Sequence, residues 1–151
     1  MNKYMKMAIR EAYRGINNGE GGPFGAVIVK DGRVISKAHN QVVLKGDATC
    51  HGEVQAIRKA SRKLGTFDLS GCEIYTTGEP CPMCLGAIMW ANIDRVFYGC
   101  NITDTEEIGF RDKKFYSKTE EQMAEFVTEC ERDACLVLYR DYKAIADKKS
   151  Y

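Results

Sequence analysis

No charge of either sign dominates this chain: 22 Lys and Arg stand against 21 Asp and Glu, a net of +1. Nothing global therefore draws it to nucleic acid or to anionic lipid. Long apolar runs are missing as well. The longest, around Leu85–Ala91, falls far short of the ~20 residues a membrane-spanning helix needs. Met1–Glu11 mixes Lys3, Lys6 and Arg10 among its apolar residues, so no export leader is expected. Repeats, linkers and low-complexity stretches are absent too, and one domain spanning 1–151 is the expected organisation.

Cysteine, by contrast, is plentiful. There are seven, an odd number, and with no export leader expected they read as reduced thiols of a cytoplasmic protein. Cys72, Cys100, Cys130 and Cys135 sit among apolar or strand-like neighbours and are expected to pack as small buried hydrophobes. A hydrophobic content of 44% over 151 residues is enough for one substantial core.

Met5, Ala8, Ile9, Ala12 and Ile16 recur at helical spacing, and Asn17–Gly22 ends that helix. Phe24–Val29 and Arg33–Ala38 read as a hairpin turning at Lys30-Asp31-Gly32. A polar loop is expected from Asn40 to about Asp47, then a helix capped by Thr49 and running to about Lys63. Cys72–Thr77 and Arg95–Gly99 read as strands around a helix at Cys84–Ala91, with Pro82 suited to its first turn. Asn101–Glu121 reads as a long ordered loop or lid with a helical turn. Phe126–Thr128 reads as a last short strand, and Arg132–Lys148 as a terminal amphipathic helix. This order predicts a three-layer α/β/α sandwich around a mixed sheet of about five strands.

The chemistry is concentrated in His51-Gly52-Glu53 and Pro80-Cys81-Pro82-Met83-Cys84. Cys81 and Cys84 share one face of a helix start, whose partial positive charge favours thiolates. With His51 they make three zinc ligands, which leave a fourth position for water, as catalytic rather than structural zinc sites do. Two thiolates offset much of the metal's charge, so the water there needs a base, and Glu53 stands close in sequence. The competing readings are a closed site of Cys50, His51, Cys81 and Cys84, and Glu53 as an ordinary first-turn helix acid. A lone C-x-x-C also serves redox sites; the distant His-x-Glu favours zinc. His-x-Glu followed by Pro-Cys-x-x-Cys is the signature of zinc deaminases acting on nucleobases.

On these motifs the chain resembles the cytidine deaminase-like superfamily, and within it the bacterial guanine deaminases. Further matching pieces are Gly22–Val29, Asn40, Ala56–Ala60, Glu79–Ile88, Gly109-Phe110-Arg111-Asp112 and a terminal Tyr151. The resemblance implies that His51, Cys81 and Cys84 hold one zinc ion per subunit and that Glu53 carries a proton from water to the purine ring. It also implies that Asp112 assists proton transfer to the leaving amine, with guanine converted to xanthine and ammonia. Asn40 would read the base's polar edge, Phe24 would pack on its face, and Tyr151 would close the pocket. It further implies a homodimer in which the C-terminal helical segment, 130–151, is exchanged between subunits.

Each substrate contact has a plainer reading: Asp112 as a solvated charge, Asn40 as a turn residue, Phe24 as core, Tyr151 as a frayed end. Trp90 is expected in the core, with a place in the pocket wall as the alternative, and His39 on the surface or in a loop. Gly52 stands where the family usually has alanine, and Cys50 where a small non-thiol residue is usual. Gly52 is expected to loosen the helix start, and Cys50 to compete for metal or oxidise. Rival functions are tRNA adenosine deamination, deamination of cytosine or an aminotriazine, and a non-enzymatic structural zinc module. The first needs a basic surface, but Arg132, Arg140, Lys143, Lys148 and Lys149 alternate with Glu131, Asp133, Asp141 and Asp147.

Overall fold

The computed structural model describes residues 1–151 and divides into two compact units, Met1–Tyr116 and Ser117–Tyr151. The first contains α1 (Lys3–Asn17), β1 (Gly25–Lys30), β2 (Arg33–His39), α2 (Val42–Lys45), α3 (Gly52–Leu64), β3 (Cys72–Gly78), α4 (Pro82–Trp90), β4 (Arg95–Cys100), α5 (Ile102–Glu107) and α6 (Asp112–Tyr116). The second contains α7 (Glu120–Phe126) and α8 (Arg132–Ala144).

The strands form one mixed sheet in the order β2-β1-β3-β4. β1 pairs antiparallel with β2 and β3, and β3 pairs parallel with β4. The β1–β2 hairpin turns through Asp31 (φ 49°) and Gly32 (φ 74°), the left-handed pair that matches strand twist. β1 is apolar on both sides because both faces are covered. Ala26 and Ile28 point into a cluster with Ala56, Ala60, Ile74 and Ile88, against α3 and α4. Val27 and Val29 point the other way, to Ala8 and Tyr75, where Tyr4 and Met5 of α1 pack. These are the three expected layers. β4 is the exception: it ends the sheet, and Phe97 and Tyr98 are exposed along it.

The sheet has four strands rather than about five. Phe126 closes α7, a helix started by the reciprocal cap of Thr119 and Gln122, and Val127 is only its extended cap residue. The segment expected to be a loop or lid is largely helical for the same reason. Asn101 accepts from Thr103 and Asp104 N–H groups while Asp104 caps it in return, which starts α5. Residues 42–45 form the short α2 within the expected polar loop. Thr49 does not cap α3, because its N–H and hydroxyl both donate to Asp47 Oδ1 (2.8 and 2.7 Å); His51 takes the cap position. α4 begins at Pro82, ahead of Cys84, with Cys81 as its cap. α8 stops at Ala144, before Lys148, whose Nζ folds back onto the carbonyls of Lys143 and Ile145 (3.1 and 3.3 Å).

Cys72 is buried as expected, but Cys100, Cys130 and Cys135 are exposed. Cys100 ends the outer strand, and the other two lie in the second unit, whose side chains are mostly exposed. Trp90, at the end of α4, is 67% exposed rather than core. No helix is long and apolar enough to cross a membrane.

Candidate active site

Two helix N-termini carry the site. His51 is the cap residue of α3 and Glu53 lies in its first turn; Cys81 caps α4 and Cys84 lies one turn in. Both caps have extended backbone, and neither uses its side chain to cap its own helix. The imidazole and thiol are therefore free to face each other. α3 and α4 pack together, which brings the two partly positive ends to one point and favours anionic sulfur and carboxylate there.

His51 Nδ1 lies 3.6 Å from Cys81 Sγ and 3.5 Å from Cys84 Sγ. Tetrahedral zinc with ordinary Zn–S and Zn–N bonds would set that separation at about 3.6 Å. All three ligand atoms fall within 4.8 Å of one another, and both cysteines are buried. The donor set and spacing thus fit the metal that the sequence implies. Cys50 stands outside this group: its thiol donates to Asp47 Oδ2 at 3.3 Å. The four-ligand closed site is therefore not formed, and competition by Cys50 for the metal finds no support.

Hydrogen bonding from Cys84 draws the Cys81 thiol down to about 4, with His51 helping against burial. Cys84 moves the opposite way, pushed up by its bond to Cys81, by burial and by Glu53. His51 is raised, first by its hydrogen bond to Cys81. Glu53 is buried, and desolvation pushes its carboxyl up. A raised carboxyl that can both take and return a proton suits proton shuttling, which a surface helix acid would not.

The trio opens on a pocket of about 650 Å³. Phe24, Asn40, His51, Glu53, Cys81 and Asp112 all line it, with Cys84 buried behind. Six of the eight residues singled out in the sequence therefore line one cavity. Asn40 is buried; its N–H donates to Phe24 O (2.8 Å), continuing the β1–β2 ladder, and its Oδ1 accepts from Val42 N–H (3.1 Å). Phe24 meets Phe110 edge-to-face, with ring centroids 4.8 Å apart. Asp112 starts α6, and its carboxyl is raised by desolvation and then by the charge of Cys81. Tyr151 belongs to the other compact unit, where it is exposed.

Three contributors carried no assigned role in the sequence reading. Phe110 and Arg111 line the pocket beside Asp112. Glu79 lines it too, and its Oε2 accepts from Ile102 N–H at 2.9 Å. His39, expected at the surface or in a loop, ends β2 and is buried, with Nδ1 3.1 Å from Glu11 Oε2 and Nε2 2.8 Å from Glu20 Oε2. Glu20 also accepts from Gln41 (2.7 Å), Gln41 from Gln55 (2.8 Å) and Gln55 from Arg58 (3.2 Å). A continuous polar chain thus runs from α1 to α3 through the residues that flank Asn40 in the chain. Gly52 is no loose point either, since a Cβ there would lie 2.8 Å from the Phe24 carbonyl oxygen.

Residues 1–100 match the sequence model of the cytidine and deoxycytidylate deaminase zinc-binding region. The chain belongs to this zinc deaminase family. It is 46% identical to guanine deaminase of Bacillus subtilis, over 98% of this chain and 97% of that one. The X-ray structure of the Bacillus subtilis guanine deaminase superposes with a TM-score of 0.92 at 44% identity, covering 100% of this chain and 99% of that one. A tRNA-specific adenosine deaminase of Aquifex aeolicus is 42% identical over 78% of this chain and 85% of its own length. The family's cofactor is zinc and its chemistry hydrolytic deamination, and this deaminase brings His51, Cys81 and Cys84 together as a candidate site for the metal.

Proposed function

We propose that this deaminase hydrolyses guanine to xanthine and ammonia, a step of purine metabolism. The observation that carries the reading is the His51–Cys81–Cys84 trio, set with buried Glu53 at the wall of a pocket of about 650 Å³. That volume lies within the range of about 300–1,000 Å³ usual for small-molecule sites. Likeness to the Bacillus subtilis guanine deaminase along nearly the whole of both chains supports guanine over a tRNA substrate. So does a net charge of +1, too small for a phosphate-binding surface.

His51, Cys81 and Cys84 would hold zinc, which when bound would supply the Lewis acidity that makes water a competent nucleophile near neutral pH. Glu53 takes a proton from the attacking water and delivers it to the ring nitrogen beside carbon 2. Asp112, which lines the same pocket, carries a proton to the departing amine, so ammonia rather than amide anion leaves. Carbon 2 gains oxygen as its bond to nitrogen breaks, and no redox change is involved. Asn40, its carbonyl already engaged by Val42, turns its amide donors and the remaining lone pair to the polar edge of the base. Phe24 packs on the apolar face, backed by Phe110.

The working form is a homodimer in which segment 130–151 of each copy packs on the other, with Tyr151 closing the partner's pocket. Exposed Met89, Trp90, Phe97 and Tyr98 in the first unit, and Phe126, Leu138, Tyr139 and Tyr142 in the second, support a second copy as the cover. Seven free thiols, two of them in the zinc site, suit the reducing cytoplasm. The deciding experiment is ammonia release from guanine, guanosine, adenine, cytosine, an aminotriazine and tRNA, with zinc measured on the same sample. Release from guanine is the expected result; release from tRNA alone would replace the reading.

A further inference from the structure

We infer that Tyr116 is a positioning residue for the deamination: its hydroxyl ties α6 to the metal-ligand loop and so holds Asp112 against the site. The inference rests on the role proposed above for Asp112. Tyr116 Oη donates to the Pro80 carbonyl at 2.8 Å. Pro80 is buried and directly precedes the ligand Cys81. Asp112 and Tyr116 stand four apart on α6, so their side chains leave the same face of the helix. One reaches the pocket and the other the loop beside it.

α6 is only five residues long and cannot hold a shape of its own. Its location must come from what it touches. The Lys113–Glu106 ion pair at 2.7 Å joins it to α5, with both partners about half exposed, which is a weak tether. The Arg111 guanidinium lies 5.5 Å from the Phe115 ring, a contact internal to the segment. The Tyr116 bond, by contrast, reaches outside α5 and α6, and it lands one residue from a metal ligand. At the other end of the segment, Ile102 N–H donates to Glu79 in the same loop. The α5–α6 segment is thus pinned to the ligand loop at both ends, with Asp112 between. Burial raises the Tyr116 phenol above its ordinary range, with Cys81 and Glu79 adding to the effect, so it stays a donor across the working pH.

A double-mutant cycle with ammonia release from guanine tests this. Tyr116→Phe is expected to lower kcat about tenfold with KM within about twofold, the signature of a misplaced group rather than a lost binding contact. Asp112→Asn is expected to lower kcat about a hundredfold. The double variant is expected to match Asp112→Asn alone, because the hydroxyl has nothing left to position. Zinc content and thermal midpoint of Tyr116→Phe are expected to stay at wild-type values. An unchanged kcat in Tyr116→Phe, a rise in KM alone, or losses multiplying to about a thousandfold in the double variant would overturn the inference. Full kcat in Asp112→Asn would overturn the role given to Asp112, and this inference with it. Should wild type release ammonia from another base instead, the substrate reading fails, and the same cycle on that base decides Tyr116 separately.

Discussion

At the scale of single residues, Glu53 and Gly52 show how tightly the start of α3 is specified. Glu53 is buried with its carboxyl raised by desolvation, next to three metal-binding side chains. Glu53→Ala is expected to retain its zinc while kcat falls by about a thousandfold or more; metal analysis beside a steady-state assay checks both halves. A variant as active as wild type would remove Glu53 from the chemistry. Gly52 makes the opposite kind of demand. Alanine is the better helix former by about 1 kcal/mol, yet a methyl there would meet the Phe24 carbonyl oxygen at 2.8 Å, and backbone cannot yield as a flexible side chain does. Gly52→Ala is therefore expected to lose about 1 kcal/mol of stability by urea titration, and a gain would show that the Phe24 strand end moves freely.

Among the elements, the polar chain from Glu11 through His39, Glu20, Gln41 and Gln55 to Arg58 fastens α1, the loop before β1, the end of β2 and α3 together. Glu20 is its most heavily bonded member, and hydrogen bonds from Gln41, His39 and Asn18 hold its carboxyl down to about 2 from an ordinary 4.5. A depressed carboxylate stabilises the fold fully above its unfolded value and loses that contribution as pH falls through its folded value. The window is thus pH 4.5 down to about 2. Glu20→Gln is expected to have a lower melting temperature at neutral pH and a flatter decline across that window, measured by thermal melts at stepped pH. Parallel declines in both proteins would rule out the Glu20 contribution. His39 was unreadable from sequence because its burial depends on Glu11 and Glu20, which lie far from it in the chain. His51 with Glu53, and Cys81 with Cys84, were readable as two local pairs because the spacing within each sets it at a helix start; the packing of α3 on α4 then brings the pairs together. α5 and α7 were not, since polar helices with no apolar stripe are betrayed only by their caps, Asn101 with Asp104 and Thr119 with Gln122. α4 is apolar on nearly every side, so its sequence did not tell which end residue would be exposed, and Trp90 was misplaced for that reason.

For the whole molecule, neither core cluster contains His51, Cys81 or Cys84. Chelation is therefore expected to abolish activity while leaving the far-ultraviolet circular dichroism close to native, with activity returning on zinc addition; a collapse of the spectrum would make the metal part of the fold's support. Deleting Tyr151 is expected to raise KM about tenfold without changing the melting temperature, as loss of a substrate contact does, and an unchanged KM would take it out of the partner's pocket. The outer edge of β4 has one further implication, for the newly made chain rather than the finished one. Until something covers it, a strand with unpaired backbone groups and exposed Phe97 and Tyr98 is a template for any other extended chain. Under the dimer proposed above, covering that edge is a race against misassociation, decided by temperature and by the crowd of half-folded neighbours.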